Sequence, residues 1–174
     1  MRTVKFSEVI GQEEAQARLV QLVHENRVPH ALMLCGPQGC GKLALALAFA
    51  SYVLGERDAN GQSILASESA ILNAEAMLRN WQHPDLHFTY PVIRPTGTSS
   101  DHKMISDDFG KEWRMLLNDT VYFSIDQWLE CMKATTQQAQ IFEAESDNLT
   151  QKLSLKSSQG GYKVCLIWLP ERMN

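Results

Sequence analysis

Ala31-Leu-Met-Leu-Cys35 runs directly into Gly36-Pro37-Gln38-Gly39-Cys40-Gly41-Lys42, and an almost wholly apolar stretch follows from Leu43 to Leu54. The first five residues are short and apolar without alternation, the pattern of a strand covered on both faces. Leu43 to Leu54 is apolar nearly all round, which suits a helix buried between a sheet and other elements, and Gly55 stands where a C-terminal cap is wanted. A glycine loop between such a strand and such a helix is the setting that separates a genuine G-x-x-x-x-G-K phosphate loop from a chance match. There the glycines let the backbone turn with its N–H groups inward, the helix N-terminus adds partial positive charge, and Lys42 can reach terminal phosphates. The plain alternative is a glycine-rich turn carrying a surface lysine.

The chemistry that usually accompanies such a loop is missing from its neighbours. The residue after the lysine should be Ser or Thr, whose hydroxyl ligates Mg²⁺, and it is Leu43, which offers no oxygen. A second apolar run, Val164 to Ile167 within a strand expected over Tyr162 to Trp168, should be followed by an Asp for the metal and often a Glu that activates water. Trp168 and Leu169 stand in those places, and neither can bind a hard cation or accept a proton. Glu171 lies past Pro170 and reads as an acid in the first turn of a helix rather than a displaced base. Two losses at separate places point to a weak or absent ATPase with no catalytic residue of its own.

Outward from the loop, Ile10 to Glu25 carries Ala15, Leu19, Leu22 and Val23 on one helical stripe, and Pro29 forces an extended entry into Ala31. Asp58-Ala-Asn-Gly61 and Gly160-Gly161 read as turns, Ser69 to Trp81 as a helix stopped before Pro84, and Leu86 to Ile93 as a strand. Pro95 to Asp101 is small and polar, a mobile surface loop by composition. Ser106-Asp-Asp opens a helix to about Leu117, and Ser124-Ile-Asp-Gln127 has capping-box spacing ahead of Trp128. Gln140 to Glu143 is too short to assign, and Asp147 to Leu155 looks helical. Three strands and about five helices in alternation describe an α/β sandwich with a mainly parallel sheet.

The 174 residues suffice for one good core, expected to belong to a single domain or part of one, and 44% hydrophobic with 21% charged residues is ordinary globular composition. A net charge of -4 argues against a free-standing nucleic-acid binder, which usually carries a basic face. Charges at Arg2, Lys5 and Glu8 with no apolar stretch behind them exclude a signal peptide, so a cytosolic protein with no membrane association is expected. Cys35, Cys40, Cys131 and Cys165 form no C-x-x-C pair, which leaves reduced thiols rather than zinc or disulfides. His83 and His87, separated by Pro84 and lacking a third ligand, read as surface or hydrogen-bonded residues, and Trp113 and Trp128 as core rather than base-stacking side chains.

These motifs resemble the bacterial DNA polymerase III clamp-loader subunits of the gamma and delta-prime group, within the AAA+ superfamily. The resemblance spans nearly the whole chain. Phe6-Ser-Glu-Val-Ile-Gly-Gln12 is similar to the family's N-terminal box, Val28-Pro-His-Ala31 to its helix-to-strand entry, and His83-Pro-Asp85 to the segment after its zinc module. Gly161-Tyr-Lys-Val164 and Glu171-Arg-Met-Asn174 resemble the flanks of its second acidic motif. Two features depart from the family: no cysteine occurs between Cys40 and Cys131, so its four-cysteine zinc module is gone, and the segment from Pro95 to about Thr136 is an insertion.

The resemblance implies a P-loop NTPase of AAA+, RecA-like, three-layer form, cut before its last strands and lid, with lid and collar domains absent from the chain. The loss of oxygen at Leu43 and Trp168 favours delta-prime, the member that tolerates a degenerate nucleotide site and acts as a stator in the polymerase holoenzyme. By the same resemblance Val9 and Ile10 border an adenine, while Gly36, Pro37, Gln38, Gly39, Cys40, Gly41, Lys42 and Leu43 surround the phosphates of a weakly held ATP or ADP. Magnesium would enter only with the nucleotide, and zinc not at all. The partners implied are other clamp-loader subunits, the sliding clamp, and primed DNA through the assembled complex. A chain ending at Asn174 would also leave the loop's strand unpaired on both edges, an edge expected to be covered by dimerisation, strand exchange or altered sheet order. The alternatives are an active gamma-like ATPase or nucleotide kinase, an AAA+ protein outside replication, and a structural domain with a vestigial loop.

Overall fold

The computed structural model describes residues 4–55, 67–158 and 161–174; the expected turns at Asp58 to Gly61 and at Gly160 lie outside or at the edge of these. The helices form where the stripe and cap signals lie. α1 spans Glu13–His24 and buries Leu19 and Val23, with acidic Glu13 and Glu14 in its first turn and His24 in its last, as the helix dipole favours. α2, Lys42–Val53, is buried on nearly every side, including Ala44, Leu47, Ala48 and Ala50, and Gly55 follows its end with a φ of 111°, a conformation that suits glycine. α3, Glu68–Leu78, starts one residue earlier than Ser69 because Ser67 caps it, its hydroxyl accepting from the Ala70 N–H at 3.2 Å.

The sheet has two described strands, β1 at Leu86–Thr89 and β2 at Val164–Ile167, paired in parallel with Phe88 opposite Leu166. Trp168 extends the ladder by donating its N–H to the Thr89 carbonyl at 2.8 Å. β1 is shorter than Leu86 to Ile93, because beyond Thr89 the chain is held by other partners. The Ser106 hydroxyl bonds both the N–H and carbonyl of Tyr90, and Val92 bridges to Gln140 instead of to a strand. β2 is shorter than Tyr162 to Trp168 and only partly covered, with Leu166 its one buried residue.

The largest departure is the segment Ala31–Cys35. The apolar run suggests a strand covered on both faces, yet among the described residues no strand pairs with it and most of it is exposed, Met33 78% and Leu32 41% accessible, with only Leu34 packed partly buried against the core. A strand exists only through its neighbours, and β1 and β2 pair with each other rather than with this segment.

Three further helices complete the described chain: α4 at Gly110–Asp119, α5 at Ile125–Cys131 and α6 at Ala144–Ser154. Ser106 does not cap α4. It opens a short 3-10 turn, Ser106–Phe109, closed by the Asp108 carboxylate accepting the Ile105 N–H at 2.9 Å, and the α-helix starts only at Gly110. At α5 the capping box forms as spaced: Ser124 Oγ accepts from the Gln127 N–H and Gln127 Oε1 accepts from the Ser124 N–H. Pro95 to Asp101 is tied rather than loose, since the Arg94 guanidinium donates to the Ser99 and His102 carbonyls.

Aromatic side chains cluster at the centre of the core. Trp113 stacks on Tyr90 with centroids 4.1 Å apart, and Trp128 meets both rings edge-on. Trp128 is fully buried and donates its indole N–H to the Pro91 carbonyl at 2.7 Å, so both tryptophans of the 95–136 segment serve packing. Glu145, also buried, has its charge met by the Ser106 N–H, the Thr89 hydroxyl and the Asn148 amide, and so ties α6 to the end of β1.

Candidate functional site

The glycine loop leads into the N-terminus of α2 as expected, but the strand expected before it is not formed among the described residues. Gly39 and Gly41 have φ of 79° and 84°, left-handed values where a Cβ would be strained, and Gly41 is the N-cap of α2. Space beside Gly39 is open. Gly36, Pro37, Gln38 and Cys40 complete the turn, with the Cys40 thiol packed toward Gly36. Lys42 opens α2, and its ammonium folds back to donate to the Gly36 carbonyl at 2.9 Å and the Pro37 carbonyl at 2.6 Å.

The N-terminal segment meets this loop. Gln12, left-handed at φ 65°, donates its side-chain amide to the Cys40 carbonyl at 2.9 Å. Val9 is buried, whereas the Ile10 side chain is 76% exposed and its N–H donates to the Tyr122 hydroxyl at 2.8 Å. The Tyr122 ring in turn lies against Gly41, within 3.5 Å of where a Cβ would stand. The expected residues Val9, Ile10 and Gly36 to Lys42 are thus joined through Gln12 and Tyr122, two side chains that the sequence did not single out for this site.

The residues present fit a phosphate better than a metal. Glycines in left-handed turns, a helix N-terminus and a lysine are the donor set of an anion site. Leu43 instead turns into the core, where it packs partly buried. Trp168 is partly buried, meeting Phe123 at 5.1 Å and Trp113 at 5.4 Å between centroids. Leu169 follows with φ 56° and leads into the short 3-10 turn Pro170–Arg172, whose first-turn acid is Glu171. Neither Trp168 nor Leu169 brings a carboxylate, and Trp168 packs into an aromatic cluster with Phe123 and Trp113. No group of three or more His, Cys, Asp or Glu able to hold a metal comes together among the described residues. His83 is buried with Nδ1 accepting the Asp85 N–H at 3.1 Å, and burial lowers the pKa of both His83 and His87. Burial raises the Cys165 thiol to about 11.

A parallel strand pair backed by helices, with a glycine loop opening a buried helix, defines an α/β protein of the P-loop class. The chain belongs to the family described as DNA polymerase III, delta subunit, whose model matches residues 11–174. Over 55 residues it is 44% identical to the replication factor C small subunit of Methanothermobacter thermautotrophicus, covering 32% of this chain and 17% of that one. The corresponding protein of Methanosarcina mazei is 42% identical over 55 residues, 32% of this chain and 16% of its own. The DNA polymerase III subunit gamma/tau of Mycobacterium bovis is 42% identical over 45 residues, 26% of this chain and 8% of its own. The chain therefore spans less than a fifth of the length of these relatives. No solved structure gives a significant match. No helix among the described residues is long and apolar enough to cross a membrane.

Proposed function

We propose that this chain acts in a replicative clamp loader as a delta-prime-like stator, with a phosphate loop that holds ATP or ADP weakly and does not hydrolyse it. The observation that carries this reading is that Leu43, next to the intact glycines and lysine, packs into the core, while Trp168 at the end of β2 packs against Phe123 and Trp113 and brings no carboxylate. A loop of this kind supplies positive charge and N–H donors for phosphates, while among the described residues no cluster able to hold a metal comes together. Its partners are then the other clamp-loader subunits and the sliding clamp, with primed DNA met only through the assembly, in the cytoplasm. The resemblance to gamma/tau and replication factor C supports the replicative setting, and the net charge of -4 supports an indirect contact with DNA.

Turnover separates this reading from its main rival, a gamma-like ATPase. The expected result is no Mg²⁺-dependent ATP hydrolysis above background by this subunit, alone or within the assembled complex after its active partners are inactivated. Hydrolysis that Lys42→Ala abolishes would overturn the stator role. The exposed segment Ala31–Cys35 supports one further element of the reading, self-association by edge pairing. Sedimentation across a concentration series should then reveal dimers that Met33→Lys disperses; a monomer at every concentration excludes it.

A further inference from the structure

Two donors at the glycine loop are already engaged by the protein itself. Lys42 Nζ donates to the Gly36 and Pro37 carbonyls, and the Ile10 N–H donates to Tyr122 Oη at 2.8 Å. The Tyr122 ring spans the interval between them, its hydroxyl on Ile10 and its edge against Gly41, the N-cap of α2. Tyr122 is 38% exposed, but the backbone that presents it is anchored. Val121 before it is buried, and Phe123 after it packs edge-on against Trp113 and Trp168. Thr120 Oγ1 accepts the Tyr122 N–H at 3.1 Å and lies 3.3 Å from its carbonyl, so the backbone presenting the ring is held on both sides.

We propose that Tyr122 is an intramolecular latch on the glycine loop: it ties residues 9–12 to the N-terminus of α2, and a nucleotide seats only when the Tyr122–Ile10 hydrogen bond opens. The inference rests on the reading of Gly36 to Lys42 as a phosphate site. A ligand consisting of phosphates alone needs only the open side at Gly39 and the Lys42 ammonium. A ligand that also carries a nucleoside, set beside Val9 and Ile10 as the proposed reading has it, meets the Tyr122 hydroxyl bonded to the Ile10 N–H. The segment between α4 and α5 thereby acquires a regulatory role, because any partner that shifts Val121 or Phe123 moves the latch.

The test uses two probes and two variants of the protein. Tripolyphosphate titrated calorimetrically against the wild type and Lys42→Ala tests the phosphate site itself; ATP titrated against the wild type and Tyr122→Phe tests the latch. Tyr122→Phe keeps the ring and removes the acceptor of the Ile10 N–H. Losing one hydrogen bond of ordinary strength from the closed state corresponds to about three- to tenfold tighter ATP binding. Tripolyphosphate affinity should stay within about twofold, since a phosphate-only ligand does not cross the latch. Ligand-free hydrogen exchange gives an independent reading, in which the Ile10 amide exchanges several times faster in Tyr122→Phe.

Each outcome bears on one half of the argument. Tripolyphosphate bound by the wild type and lost in Lys42→Ala, with ATP affinity equal in wild type and Tyr122→Phe, keeps the phosphate site and overturns the latch. Neither probe bound by any of the proteins removes the site, and the latch with it. Unchanged Ile10 exchange overturns the latch whatever the ligands do.

Discussion

His83 shows how much a single side chain can bind a local fold to solution conditions. Its Nδ1 accepts the Asp85 N–H, so the ring must be neutral at that nitrogen, and burial holds its pKa below the ordinary value against the opposing pull of Asp85. His87 is lowered too, first by burial and then by Lys152 and Lys163. Both groups therefore bind fewer protons in the folded chain than in the unfolded one. Stability should be full above the unfolded histidine pKa of about 6.5 and should fall as pH drops through it, levelling below the lowered folded values. Urea midpoints measured between about pH 7.5 and pH 5 check this, and His83→Asn, which keeps an acceptor and cannot titrate, should flatten the slope. A midpoint that rises on acidification contradicts it. At this scale the sequence was legible where one residue acts on near neighbours. The Ser124 and Gln127 cap formed as its spacing implied, and Leu43 brought no oxygen to the loop. Tyr122 was illegible, because its partner Ile10 lies 112 residues away and nothing in Val121-Tyr122-Phe123 marks the pairing.

Among the elements, the helices formed close to their signals apart from the late start of α4, while two of the three expected strands formed in shortened form and the third did not. A helix satisfies its own backbone, so α1 and α2 could be placed from a stripe, a cap and an apolar surface alone. A strand needs a neighbour. Ala31–Cys35 has the composition of a buried strand and lies exposed, whereas β2, with similar composition, is a strand because β1 pairs with it. Hydrogen exchange in dilute solution should show this directly: amides of Ala31 to Cys35 exchange at the earliest times, while those of Leu166 and Trp168 are protected by the ladder. Early protection at Leu32 and Met33 in dilute protein would show that the segment has a partner within the chain. The late start of α4 has a similar cause. Ser106 has the right side chain for a cap, but its hydroxyl is taken by Tyr90, and the α-helix begins after a 3-10 turn.

For the whole molecule, the 95–136 segment is part of the core rather than an ornament on it. Trp113 and Trp128 are almost completely buried against Tyr90, and Trp113 also packs on Phe88 and Trp168. Losing a buried aromatic side chain costs about 3–5 kcal/mol, and two such losses compare with the roughly 5–15 kcal/mol that keeps a domain folded. Removing residues 95–136 should therefore abolish the near-ultraviolet circular dichroism and the cooperative urea transition. Retention of both would show that the remainder has a core of its own. The sequence by itself determined the phosphate-loop motif, the capping box at Ser124 and Gln127, and the absence of a side-chain oxygen at positions 43 and 168, since each depends on residues within a few positions of one another. The tertiary structure alone decided that Ala31–Cys35 finds no strand partner among the described residues, that Trp168 joins Phe123 and Trp113 in an aromatic cluster, and that Tyr122 links Ile10 to Gly41. Those outcomes depend on contacts between distant residues, whose registry follows from the packing of the whole core and leaves no local pattern to read.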